Sequence, residues 1–153
     1  MKSIVLAGGL STERDVSLSS AAGICRTLVE KGHDAFLLDV FMGLENAPEN
    51  LEDVFTLPDH GLEIVKNIST EEPDLEAVKA SRPDQSDCFF GPNVIELCRL
   101  ADITFLGLHG GEGENGKLQA SFDLLGIKYT GPDSLGCAVA MHKGVAKQIF
   151  LES

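Results

Sequence analysis

Residues 107–120 read GLHGGEGENGKLQA, and they gather one histidine, two glutamates and a lysine among closely spaced glycines. Gly111 to Lys117 fits the first seven places of the phosphate-binding pattern GxxxxGK[ST]. The next residue is Leu118, so the hydroxyl that would hold Mg²⁺ is missing. Glu112 and Glu114 would also place negative charge among the backbone N–H groups meant for phosphate. A metal reading takes His109, Glu112 and Glu114 as ligands on one loop, without the i, i+4 spacing of a helical site. A glycine-rich turn with solvated charges is the third reading. A second loop, AGGLSTERD at 7–15, places Glu13 at the start of an expected helix, where the helix dipole favours its ionised form. A carboxylate and an imidazole at one crevice suit a small zwitterion. Glu13 would take an ammonium, and His109 with backbone N–H groups a carboxylate. The residues alone leave these readings open.

The elements that must position both loops are legible as patterns. Ser3–Ala7 is an apolar run ended by Gly8-Gly9 and reads as a buried parallel strand. Thr12 and Asp15 occupy capping-box positions. Leu18, Ala21, Ala22, Cys25 and Val29 then fall on one face of an amphipathic helix that Gly32 ends. Ala35–Val40 is the second strand. Residues 42–91 are expected to hold a short helix near Leu51–Phe55, a strand near Leu62–Lys66 and solvated loops, including the acidic run Glu71–Glu76. Pro92–Leu100 reads as a helix and Ile103–Leu108 as a buried strand. The quoted loop follows, then a helix over about 115–125 and a short edge strand, Ile127–Thr130. A single helix is expected from Leu135 to the end. Strands alternating with helices give a doubly wound, mostly parallel α/β sheet flanked by helices. Its ligands are expected beyond the carboxyl ends of the strands.

The 153 residues suffice for one domain with a core, and 43% hydrophobic with 24% charged residues is a globular composition. A formal net charge of −12 argues against nucleic acid and anionic membrane surfaces as partners. No stretch approaches the ~18 apolar residues of a membrane helix. Cys25, Cys88, Cys98 and Cys137 lack metal-ligand spacing and read as reduced thiols of a cytoplasmic protein. Periodicity turns Cys25 and Cys98 towards the core, while His33 and His60 read as surface residues.

Three segments carry a resemblance: AGGLSTERDVSLSS, LGLHGGEGENGKLQASFDLLGIKYTG and SLGCAVAMHKGVAKQIF, in this order. Together they resemble the N-terminal part of D-alanine–D-alanine ligases of the ATP-grasp superfamily, closely over 1–40 and about 92–153 and loosely over 42–91. The resemblance implies a Rossmann-like (pre-ATP-grasp) domain over 1–131. Residues 132–153 would then begin the helix leading to an ATP-grasp domain. It implies ATP-dependent joining of two D-alanines for peptidoglycan precursors in the cytoplasm, through an acyl phosphate and with Mg²⁺ neutralising phosphate charge. A close relative making D-alanyl–D-serine or D-alanyl–D-lactate is the alternative, as is a stand-alone binding module.

By the same resemblance, Glu13 binds the ammonium of the first D-alanine, Val16 lines its pocket and His109 sits near its carboxyl group. Glu13 and His109 are thus the implied catalytic and substrate-binding residues. Lys143 contacts an ATP phosphate. Two residues depart from the family pattern: His142 stands where MDK has aspartate, and Asp15 where glutamate is usual. The nucleotide clamp and Mg²⁺ carboxylates of the family lie beyond Ser153. The 153 residues are therefore expected to fold alone without catalysing and to bind neither ATP nor metal by themselves. A homodimer through this domain is a further implication of the family.

Overall fold

The computed structural model describes residues 1–65 and 72–152. Lys66 and Glu71, the ends of the expected strand and acidic loop, lie outside the described residues. The sheet has three parallel strands in the order β2-β1-β3, namely β1 Lys2–Ala7, β2 Asp34–Asp39 and β3 Ile103–Leu106. The central strand β1 is apolar throughout Ile4–Ala7 because both its faces are covered. On one face lies α1, Arg14–Glu30, which buries Leu18, Ala21, Ala22 and Cys25 against Val5, Ala7, Ala35 and Leu37. On the other face, Ile4, Leu6, Phe36 and Leu38 meet Val94, Leu97 and Cys98 of α3 (Val94–Leu100) and Leu118 and Phe122 of α5 (Lys117–Leu125). The chain thus leaves β1 to one side through α1 and returns across it to β3, so the fold is the doubly wound α/β expected. Cys25 and Cys98 face the core as their spacing implied.

Several local expectations differ. The helix after Gly9 takes Glu13 as its N-cap, and no side chain caps it. Thr12 is exposed and Arg14 turns inward, so the capping box of Thr12 and Asp15 does not form. The helix predicted from Pro92 starts at Val94, because the Pro92 carbonyl accepts from Leu44 N–H (2.9 Å) and Asn93 is left-handed (φ 63°). The stretch near Leu62 is a 3-10 turn, Leu62–Ile64, rather than a strand. The loop before it closes the sheet edge: the His60 carbonyl accepts from Leu37 N–H, and His60 Nδ1 lies 3.1 Å from the Ala35 oxygen. His60 is therefore half-buried edge cover. Asp74, in the run expected as solvated loop, caps a short helix α2, Leu75–Ser81, by accepting from Glu76 and Ala77 N–H.

Two further differences bear on function. Residues 127–130 make a single bridge, Thr104 to Tyr129, because Thr130 Oγ1 accepts from Leu106 N–H where a ladder carbonyl would continue the strand. The C-terminal helix is two helices, α6 Ser134–Met141 and α7 Lys143–Glu152, broken at His142. His142 Nδ1 accepts from Val145 N–H (3.2 Å), so the imidazole caps α7 as an aspartate would at that place. Leu135, Met141, Phe150 and Leu151 of these helices are exposed. Among the described residues, no helix is long and apolar enough to cross a membrane.

Candidate functional site

The adjacent parallel strands β1 and β3 end side by side, so their loops leave the sheet together at its carboxyl edge. Serines of the first loop and of α1 tie the second loop in place. Ser17 Oγ accepts from Gly8 N–H (2.9 Å) and donates to the Gly107 carbonyl (2.8 Å), which bridges the two strand ends in the interior. Ser11 Oγ donates to the His109 carbonyl (2.6 Å) and accepts from Glu13 N–H (3.2 Å). Ser20 Oγ lies 3.2 Å from His109 Nε2 and sets the ring's direction. The loop passes close to α1 at Gly107, where a Cβ would stand 3.0 Å from the Ala21 Cβ. Gly110 turns the chain at φ 69°, a region side chains disfavour.

After that turn the loop folds into a short helix, α4 Gly111–Glu114, before α5 begins at Lys117. The helix expected over about 115–125 is α5, which starts two residues later with Gly116 as its N-cap, and the preceding α4 brings Glu114 back over the first loop. One ligand atom each from Glu13, His109 and Glu114 lies within 4.8 Å of the others. His109 is half-buried, and both carboxylates are exposed. The structure therefore brings Glu13 and His109 together, as the sequence suggested, and adds Glu114. Glu112, grouped with His109 and Glu114 in the metal reading, stands apart and pairs with Lys117 at 3.5 Å. The lysine of the phosphate-loop reading is thereby engaged with a glutamate.

The local charge follows from what is paired elsewhere. Arg14, next to Glu13 in sequence, turns away and forms a buried ion pair with Asp39. No cation stands within ion-pair distance of Glu13 or Glu114 among the described residues. Two carboxylates and one imidazole converge there. Such a set attracts a cation or ammonium and holds a donor to a carboxylate beside it. The same three donors could hold a divalent ion. Val16, on the exposed side of α1, is 45% exposed. Lys143 is the first residue of α7, exposed at a helix N-terminus.

The sequence reading grouped Glu114 with His109 only as a metal ligand, not with Glu13, and it missed Ser11, Ser17 and Ser20. Glu114 lies five residues after His109, and only the two left-handed glycines 110 and 111 make that spacing converge. The serines gave no motif of their own, because their partners are backbone carbonyls and N–H groups of a distant loop.

The family model described as D-ala D-ala ligase N-terminus matches residues 2–132. The chain belongs to this family. A D-alanine–D-alanine ligase of Lacticaseibacillus casei is 45% identical over 151 residues, covering 99% of this chain and 42% of that protein. One of Pediococcus pentosaceus is 48% identical over 156 residues, covering 99% of this chain and 43% of that protein. The chain thus spans about two fifths of the length of the curated relatives it matches. Among solved structures, the Bacillus anthracis D-alanine–D-alanine ligase complexed with ATP superposes with a TM-score of 0.60 at 21% identity, over 99% of this chain and 36% of that one. The Coxiella burnetii ligase gives 0.58 at 24% identity, over 99% of this chain and 42% of that one. These two support the fold.

Proposed function

We propose that this chain supplies the first-substrate wall of an ATP-dependent D-alanine–D-alanine ligase that makes the dipeptide for peptidoglycan precursors. The observation that carries this reading is the convergence of Glu13, His109 and Glu114 within 4.8 Å at the mouth between β1 and β3. Glu13 receives the α-ammonium of a D-alanine, with Glu114 adding negative charge. His109, steered by Ser20, holds the carboxylate end. Val16 packs against the methyl side of the same pocket. The carboxylate held at His109 is the group that ATP would phosphorylate, and holding it in one orientation is what these residues contribute to rate.

ATP and Mg²⁺ belong to the whole ligase. ATP supplies the phosphoryl group that activates the carboxylate, and Mg²⁺ offsets phosphate charge. Of this chain's residues, Lys143 fits that nucleotide. It is an exposed cation, in no ion pair among the described residues, at the N-terminus of α7, where the helix dipole favours phosphate. The cap that His142 makes fixes where that N-terminus starts. In this reading residues 1–131 are the substrate domain, and 132–153 lead towards the nucleotide domain.

The test is a chimera. This chain replaces the matching part of the Lacticaseibacillus casei ligase, and D-alanine-dependent phosphate release is measured with ATP and Mg²⁺. Activity is expected, and Glu13→Gln should lower kcat/KM for D-alanine by about 100-fold, as loss of a charge-assisted contact implies. A soluble chimera whose activity is indifferent to Glu13 would overturn the assignment.

A further inference from the structure

We propose that Glu13, His109 and Glu114 also form a site for one divalent ion of the Zn²⁺ kind, a site that the family resemblance did not imply, and that this ion excludes the amino acid from the crevice. The three ligand atoms all lie within 4.8 Å of one another. Yet none of the three groups forms an ion pair or hydrogen bond with another. They converge without satisfying each other. A point common to three atoms so spaced lies at most about 2.8 Å from each, and Zn²⁺ bonds to imidazole nitrogen and carboxylate oxygen are about 2.0–2.2 Å long. Small rotations of the exposed Glu13 and Glu114 side chains cover the difference. Three protein ligands leave a fourth position for water.

The donor set selects the class of ion. One imidazole with two carboxylates suits Zn²⁺, whereas Mg²⁺ and Ca²⁺ prefer oxygen ligands alone. No cation of this chain competes for the two carboxylates among the described residues, because Arg14 pairs with Asp39 and Lys117 with Glu112. A divalent ion therefore offsets both charges. His109 is also held from behind. Ser11 Oγ donates to its carbonyl at 2.6 Å. Ser20 Oγ donates to the Ser17 carbonyl (3.1 Å) and stands 3.2 Å from His109 Nε2, where it can accept the ring's N–H. Metal-bound histidines are oriented by an outer partner in this way. The exclusion of the amino acid rests on the reading of this crevice as the ammonium pocket, since Glu13 cannot hold the ion and an ammonium at once.

The test titrates Zn²⁺ into the 153-residue chain carrying Cys88→Ser, which removes the exposed thiol as a rival ligand, while ¹H–¹⁵N spectra are recorded. One saturable equivalent is expected, with shifts at the His109 ring and the Gly110, Gly111 and Asn115 amides. His109→Gln and Glu114→Gln should each weaken it by at least roughly tenfold, and Ser20→Ala by about tenfold, as loss of an outer partner does. His33→Gln, just before β2 at the opposite end of the sheet, should leave it unchanged. Exclusion is read in the chimeric ligase in excess Mg²⁺, with free Zn²⁺ fixed by a metal buffer because D-alanine itself chelates zinc. KM for D-alanine should rise with free Zn²⁺ while kcat holds. Binding indifferent to His109→Gln and Glu114→Gln would overturn the site, and an unchanged KM at saturating Zn²⁺ would overturn the exclusion. D-alanine binding without Zn²⁺ binding refutes this inference alone. Zn²⁺ binding without D-alanine binding supports the site and refutes the proposed function.

Discussion

Replacing Asp39 by alanine tests the device that holds the first loop. Asp39 ends β2 and is 3% exposed, and Arg14 is 8% exposed. Its Oδ1 accepts from Phe41 N–H (2.9 Å), Met42 N–H (3.1 Å), Gly9 N–H (3.4 Å) and Arg14 Nη1 (3.3 Å), and its Oδ2 pairs with Arg14 Nη2. Arg14 Nη1 also donates to the Gly9 carbonyl at 2.7 Å. The pair thus joins β2, the turn after β1 and the first turn of α1, with Glu13 next to the anchor. Asp39→Ala leaves a buried guanidinium without its carboxylate and several backbone donors unpaired. Breaking one side of a buried pair costs about 3–5 kcal/mol. With a urea m value of ~2 kcal/mol/M, the midpoint should fall by roughly 2 M. Removing both charges in Arg14→Met/Asp39→Ala should cost less than the sum of the single changes by at least ~1 kcal/mol. Urea unfolding followed by circular dichroism reads all three variants. A loss under ~1 kcal/mol for Asp39→Ala, or strict additivity, would refute the claim that this pair fixes the loop.

Four further outcomes are expected. Burial pushes the Cys98 thiol up to about 12 and the Cys25 thiol to about 11. Both then stay protonated in the folded chain while unfolded thiols ionise, so their contribution is complete below pH ~8.5 and is lost as pH rises towards those values. The melting temperature should fall between pH 8.5 and 10.5, and fall less in Cys98→Val; an equal fall would contradict this. At pH 8 a thiol reagent should modify Cys88, the exposed one, ahead of the three buried thiols. Gly116 sits at φ 90°, and a Cβ there would stand 2.3 Å from the Ser134 carbonyl oxygen. Gly116→Ala should therefore destabilise by about 1–3 kcal/mol and displace α6, seen as shifts of its amide signals in ¹H–¹⁵N spectra. In the chimeric ligase, Lys143→Met should raise KM for ATP by roughly tenfold or more with KM for D-alanine little changed, as expected of a phosphate contact.

The sheet and its order of elements were readable because Ser3–Ala7 and Ile103–Leu108 are apolar on both faces and α1 keeps its period through Leu18, Ala21, Ala22 and Cys25. Patterns of this kind depend on burial, which the composition of each stretch records. What escaped depended on contacts between distant residues. Thr130 ends its strand because its hydroxyl takes a neighbour's N–H, and Pro92 delays a helix because Leu44 takes its carbonyl. The break at His142 looked like a substitution inside one helix, although the imidazole caps a second. Glu13 and His109 could be paired from the topology, since both follow strands at the same sheet edge. Glu114 could not, because its place depends on two left-handed glycines and a four-residue helix.

The most direct test of the proposed function is a titration of the 153-residue chain with D-alanine, followed through the His109 ring and the Gly110 and Gly111 amide signals. Saturable shifts at these three residues are predicted. Propionate, which lacks the ammonium, should give none, and Glu13→Gln should weaken D-alanine by at least about tenfold. Equal responses to D-alanine and propionate, or saturation unaffected by Glu13→Gln, would contradict the assignment of this crevice to the amino-acid substrate.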